Sequence, residues 1–198
     1  AVAATLMYSA PVFVYLVAFG FKLERPTPVK GLAIALVMLG IVLLTRLYNV
    51  DVGKVTAAGI GFGLLAGVSY SVFIYGFKYA AGHGSPQAVL TIALGCAGVI
   101  LLGASDTTQA VAVLNAPQWW LFALLGVLGA GLSFAFYVVG LKRTAPTLAA
   151  IVAMVEPVTA SLFGVLVLGE TLAPLQILGL VLILVTVTGL SLYSNRRR

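Results

Sequence analysis

Glu156 and Pro157 stand side by side inside a long apolar run, "AAIVAMVEPVTASLFGVLVLGETLAPLQILGLVLILVTVTG", which extends from Ala149 to Gly189. A helix from about Leu148 to Leu168 would cover, at 1.5 Å per residue, roughly the 30 Å of a bilayer's hydrocarbon core. Glu156 then lies eight residues into the span, roughly 12 Å from its nearer end. An acid at that depth costs about 2.5 to 3.5 kcal/mol on insertion scales, and such residues usually face a cavity and handle ions or protons. Burial favours the neutral form, which allows protonation to be linked to the binding of a solute. Pro157 has no N–H and leaves the carbonyl of Ala153 without its helical donor. Acid and acceptor could therefore contact one solute or one water. The competing reading is that Glu156 hydrogen-bonds a Ser or Tyr on a neighbouring helix.

Other polar groups interrupt apolar segments. Tyr8 and Tyr15 are seven residues apart on one helical face, with Pro11 between them. Ser69, Tyr70, Ser71 and Tyr75 break a third segment, and Ser133 and Tyr137 a fifth. Such hydroxyls and rings could line a path for amphipathic organic solutes by stacking and hydrogen bonding, or satisfy one another across helix interfaces. Glu24 and Glu170 fall at segment ends and read as turn and capping residues. No Ser/His/Asp arrangement, paired carboxylates, phosphate loop or metal spacing is present, so the sequence does not point to an enzyme. His83 sits in the turn "AAGHGSP", Asp51 and Asp106 read as loop charges, and Lys142 and Arg143 as topology anchors. Cys96 is the single cysteine, which leaves no intrachain disulfide. Neither a metal nor a cofactor is implied.

The elements that must hold these groups are membrane spans. Apolar residues make up 62% and charged residues 8% of the chain, against about 25% charged in ordinary soluble domains, so the surface faces lipid. The net charge of +6 is scattered between hydrophobic runs without aromatic interleaving, which argues against nucleic acid as a partner. An all-α membrane protein with seven spans is expected, near Val2–Phe21, Val29–Tyr48, Val55–Phe77, Pro86–Gly103, Pro117–Leu141 and Leu148–Leu168, the seventh following the turn "GET". Gly59, Gly61, Gly63 and Gly67 in the third permit close helix contact. Ser85 and Pro86 open the fourth as N-cap and first helical residue. Trp119 and Trp120 at the start of the fifth suit an interfacial aromatic belt, and "ASDTTQAVAVLNAPQ" before them is the longest polar stretch.

One offset of 146 residues places Pro157 on Pro11, Glu170 on Glu24 and Pro174 on Pro28. Beyond Pro28 the register slips by two, so that Gly179 matches Gly31. Glu156 falls on Ala10. Alternate loops and the tail carry nine basic residues on one side and two on the other, which by the positive-inside rule puts the C-terminus in the cytoplasm and Ala1 outside. The helix with Pro11 then runs inward and that with Pro157 outward, an inverted repeat of the kind transporters use for alternating access.

"EPVTASLFGVLVLGETLAPLQILGLVLI" and the weaker "SAPVFVYLVAFGFKLERPTPVKGLAIALVMLG" resemble the two halves of EamA-type transporters of the drug/metabolite transporter superfamily. The resemblance implies ten helices in two inverted five-helix repeats around a central substrate pathway. On that basis residues 1–48 are the last two helices of a first repeat and 55–193 a complete second repeat, with about three helices expected upstream. About 98 residues separate Gly59 from Pro157, whereas ten precede Pro11, so a full first half needs roughly 90 more, enough for three spans. The implied pathway is lined by the first, third, fifth and sixth spans, with the second and seventh peripheral. The function expected is a transporter, an exporter or exchanger of small organic metabolites or drugs in the inner (plasma) membrane, with lipid and a small-molecule substrate as partners and protons as candidate coupling ions. A non-transporting membrane scaffold or assembly subunit is the alternative. The pathway candidates are Glu156, Pro157, Ala153, Pro11, Tyr8, Tyr15, Tyr70, Tyr75, Ser133 and Tyr137.

Overall fold

The computed structural model describes residues 2–50 and 55–196. Ala1, Asp51, Lys54, Arg197 and Arg198, which entered the charge and loop readings, lie outside the described residues. Helices occupy all seven expected segments, and no strand occurs among the described residues. Five segments are long and apolar enough to cross a membrane: Ala57–His83, Pro86–Ala104, Trp119–Arg143, Pro146–Leu168 and Pro174–Asn195. The apolar stretches Thr5–Gly20 and Pro28–Leu44 are shorter. The chain is an all-α multi-pass membrane protein.

The first and sixth spans, expected as continuous helices, are each interrupted. The first consists of α1 (Val2–Met7) and α2 (Ala10–Gly20), and the sixth of α9 (Pro146–Ala153) and α10 (Val155–Leu168). The cause is proline: its ring clashes with the carbonyl four residues earlier and it donates no bond to that carbonyl. Met7 is four residues before Pro11 and Ala153 four before Pro157, and each is the last residue of its half-helix.

Local chemistry explains the other boundaries. Thr27 accepts from the Lys30 N–H at 3.4 Å at the start of α3 (Pro28–Leu44), and Pro28 occupies the first turn. Ser85 does the same for α5 (Pro86–Ala104), accepting from the Ala88 N–H at 3.2 Å. Gly169 ends α10 in the left-handed region, φ +71°, where a side chain is penalised. The polar stretch before the fifth span is not a bare loop. It holds α6 (Thr107–Asn115), capped by Asp106, whose carboxylate accepts from the N–H and the hydroxyl of Thr108 at 2.9 and 2.6 Å. Those bonds hold the Asp106 carboxyl below its ordinary value. The fifth span contains α7 (Trp119–Leu124), a π-helical segment (Leu125–Leu132) and α8 (Ser133–Arg143).

Contacts divide the chain into two units, residues 1–75 with 145–198 and residues 76–144. The first is organised on α3 and α11 (Pro174–Asn195), which lie antiparallel: Arg46 at the end of α3 donates from Nε to Gln176 Oε1 near the start of α11 at 2.8 Å. Ile34, Val37, Ile41 and Leu44 repeat at helical spacing and meet Leu180, Ile183, Val187 and Leu190, with Ile151, Met154 and Val158 of the sixth span completing the cluster. In lipid this association is held by packing rather than by water exclusion, and the backbones accordingly come very close. A Cβ on Gly179 would sit 2.6 Å from the Gly40 carbonyl oxygen, and one on Gly40 2.6 Å from Ile183 Cγ1. Gly31, the repeat counterpart of Gly179, has no such neighbour within 4 Å.

The long helix α4 (Ala57–His83) contributes its first part, to Tyr75, to this unit. In the second unit Lys78 donates to the carbonyls of Leu141, Lys142 and Thr144 at 2.8, 3.0 and 2.8 Å, tying down the C-terminal end of α8.

Candidate functional site

The two interruptions and α4 assemble one polar site in the first unit. At the α1–α2 turn, Ser9 donates both its N–H and its hydroxyl to the Leu6 carbonyl, at 3.0 and 2.6 Å, so the turn closes on itself next to Tyr8. Two glycines of α4 support it. A Cβ on Gly63 would lie 2.8 Å from Leu6 Cβ, and one on Gly67 2.8 Å from Ser9 Oγ. Of the glycine-rich run expected to mediate close packing, these two do so, while Gly61 faces open space. One turn after Gly67, Tyr70 is carried to the same place.

The α9–α10 interruption lies at Met154, whose N–H bonds the Ile151 carbonyl at 3.1 Å. Met154, Pro157 and Val158 are buried and anchor the turn, and Pro11 is buried at the corresponding turn. Glu156 falls in the first turn of α10, where a negative charge complements the partial positive charge of the helix N-terminus. Its carboxylate interacts electrostatically with both Tyr8 and Tyr70, and Tyr8 with Tyr70. No hydrogen bond to Glu156 occurs among the described residues. Tyr8, Tyr15, Tyr70 and Ala153 are half-buried against the apolar cluster.

Against the described residues the Glu156 side chain is exposed, not covered by protein. Successive residues of a helix point about 100° apart. With Pro157 and Val158 turned into the core, Glu156 is directed away from it. The acid is thus open to a partner and is not sealed in by a neighbouring Ser or Tyr.

Tyr75 behaves differently from Tyr8 and Tyr70. Its hydroxyl donates to the Val14 carbonyl at 2.8 Å, so it bridges α4 to α2 as an interface bond. Ser71 is buried and returns its hydroxyl to the Val68 carbonyl of its own helix at 2.7 Å. Ser133 and Tyr137 belong to the second unit. There Ser133, the first residue after the π-helical segment, donates to the Leu128 carbonyl five residues back at 2.8 Å. Tyr137 meets Phe134 edge-on, with ring centroids 6.4 Å apart.

Glu24 does more than end a turn. It accepts from Lys30 Nζ at 2.5 Å, and its other oxygen accepts from the N–H of Thr147, in the first turn of α9, at 3.1 Å. Capping was legible at Glu24, but its target 123 residues away was not. Ser9 was also missed, although a Ser two residues before a Pro is a turn signal. The three-carbonyl grip of Lys78 left no trace in the sequence beyond a basic residue near a helix end.

Residues 57–192 match the model of the EamA-like transporter family. Among curated proteins, an uncharacterized transporter of Archaeoglobus fulgidus is 32% identical over 187 residues, covering 93% of this chain and 64% of that protein. The uncharacterized transporter YcbK of Bacillus subtilis is 27% identical over 200 residues, which is 93% of this chain and 61% of YcbK. The threonine/homoserine exporter RhtA of Escherichia coli K12 is 27% identical over 183 residues, with 90% and 58% covered. The chain therefore spans somewhat less than two thirds of these relatives. A solved crystal structure at 20% identity superposes with a TM-score of 0.70, over 100% of this chain and 69% of the other, and shares the fold.

Proposed function

Because the chain belongs to the EamA-like transporter family, we propose that it serves in an exporter or exchanger of small organic metabolites that works by alternating access between inverted repeats. The observation that carries the reading is that two helix interruptions 146 residues apart place Glu156 near enough to Tyr8 and Tyr70 for its charge to act on both. Interrupted spans are where transporters build sites near the bilayer midplane, because backbone groups freed there are available to solutes and ions. An exposed carboxylate beside two tyrosines selects for an amine-bearing solute: the acid pairs with the ammonium, and the rings and hydroxyls receive the rest of it. The helix N-termini of α2 and α10 lie at the same interruptions, and their partial positive charge suits an anionic group on that solute. A zwitterionic amino acid satisfies both, and the naming of RhtA as a threonine/homoserine exporter agrees with that class.

The protein resides in the inner (plasma) membrane with its C-terminus in the cytoplasm, on the strength of nine basic residues against two in alternate loops. Glu156 is the charged group offered to the solute, and protons are the candidate coupling ions. It acts in transport, not in covalent chemistry.

The test is flux. Full-length protein in proteoliposomes, preloaded with labelled threonine, should release label faster than empty vesicles, and an inward or outward pH gradient should change the rate. The same panel would include an organic cation, a dicarboxylate and a sugar. Absence of flux for every probe, with the protein correctly inserted, would establish the scaffold reading instead.

A further inference from the structure

Glu24 and Glu170 occupy equivalent positions at the ends of equivalent half-helices, yet their carboxylates do different things. The backbone turns match. The Glu24 N–H bonds the Ala18 carbonyl at 3.4 Å and the Glu170 N–H bonds the Gly164 carbonyl at 3.1 Å, and Ala18 and Gly164 are themselves 146 residues apart. Glu170 folds back over its own helix, onto Gly164. A Cβ at Gly164 would clash with the Glu170 carboxylate, so a side chain at residue 164 would push the carboxylate out of this parked position. Ala18, buried at the matching place, has the Cβ that closes it. Glu24 instead reaches across to Thr147, from one repeat to the other.

We propose that Glu24 is a positioning residue that pins the half-helix α9, and that Ala18 keeps it pinned by denying it the parked position that Glu170 displays. The consequence, which rests on the transport reading above, is control of the site. α9 leads directly into the Met154 interruption and Glu156, so holding the N-terminus of α9 fixes the angle at which the acid is presented. Release of Glu24 frees that end of α9 to move relative to α2. Lys30 neutralises the glutamate without contributing the bond to α9. Thr147 is fully buried and its hydroxyl has no hydrogen-bond partner among the described residues, while the Glu24 carboxylate ties down the backbone N–H at this helix start.

Spin labels at Phe21→Cys and Val152→Cys, in a Cys96→Ser background of the full-length protein in nanodiscs, report the α2–α9 separation by pulsed EPR. The unaltered Glu24 protein should give one narrow distance. Glu24→Ala should lengthen or split it by about 2 to 5 Å, the scale of helix shifts and one-turn ratchets. Glu24→Gln, whose amide oxygen still accepts from Thr147, should restore the narrow distance. Ala18→Gly, which removes a single methyl and opens the parking place, should lengthen it as Glu24→Ala does. A Glu24→Ala distribution that superposes on the parent would overturn the pin, and lengthening by Glu24→Ala but not by Ala18→Gly would overturn the role of Ala18. Neither readout needs transport: altered distances without flux would sink the transport reading alone, and flux with unmoved distances the pin alone.

Discussion

The α1–α2 and α9–α10 interruptions share a backbone and differ in chemistry. Each half-helix ends four residues before a proline, at Met7 and at Ala153, and each following helix begins within two residues of that end or just beyond it. At the first interruption the side chains offered are Tyr8 and Ala10, and at the second Met154 and Glu156. The interruption is therefore what the architecture imposes, through a proline that cannot donate. The acid is an addition made on one side only. Under the proposed transport reading, a solute between them would meet an aromatic hydroxyl from one repeat and a carboxylate from the other, so the site is asymmetric even though the scaffold is nearly duplicated.

Removing the acid should break this comparison most completely. Glu156→Gln keeps shape and hydrogen bonding but not charge, and transport by the full-length protein is expected to fall tenfold or more, about 1.4 kcal/mol or above. Ala10→Gly, at the matching position, should change flux less than twofold. A Gln variant that inserts normally and transports at the parental rate would make Glu156 structural.

The next effect concerns the helices that frame the two interruptions. Gly179→Ala forces a methyl against the Gly40 carbonyl and should lower stability by about 1 to 3 kcal/mol, the usual cost of overpacking. Gly31→Ala, with open space around it, should leave the melting temperature in detergent unchanged or slightly raised. Equal shifts for the two would mean that the crossing is looser than the geometry implies.

Smaller changes are expected from the tyrosines. Tyr8→Phe and Tyr70→Phe each remove one hydroxyl of the proposed site and should weaken solute affinity about two- to tenfold, the range of a single hydrogen bond, whereas Tyr75→Phe should alter stability and not affinity. Double-mutant cycles with Glu156→Gln should show coupling for Tyr8 and Tyr70 and none for Tyr75. The smallest effect lies away from both interruptions. Because the Asp106 carboxyl is held below its ordinary value, its cap on α6 is fully present above about pH 4 and is lost only as pH falls through the lowered value. A carboxyl titration followed by NMR should place Asp106 below the exposed-carboxylate range, and Thr108→Ala should raise it.

The seven helical segments were legible because apolar runs bounded by Pro, Gly and Ser need no tertiary information. The prolines marked the interruptions, though as kinks within continuous spans. Where each half-helix stops follows from the carbonyl four residues back, a rule that could have been applied to the letters. α6 was hidden by a polar composition that reads equally as loop. The π-helical segment in "LGVLGAGL" has no compositional signature at all. At the site, Glu156 was legible as an anomaly of charge in an apolar run, but its exposure depends on which way the turn at Met154 is anchored. Tyr70 and Tyr75 look alike in sequence, five residues apart on one helix. Only their neighbours distinguish a site residue from a bridge to Val14.

The crossing of α3 and α11 has a mechanical consequence. Backbone-to-backbone contact at Gly40 and Gly179 is a point of closest approach, and Gly31, nine residues along α3, stands clear of any comparable contact. Such a crossing is a fulcrum with one short, tightly tied arm, the end fastened by Arg46 and Gln176, and one longer arm. Nine residues of helix are about 13 Å, so a scissoring of about 10° would move the Gly31 end by about 2 Å while the glycine pair stays in contact. The arm that gains this displacement starts next to Lys30, the cation that holds Glu24.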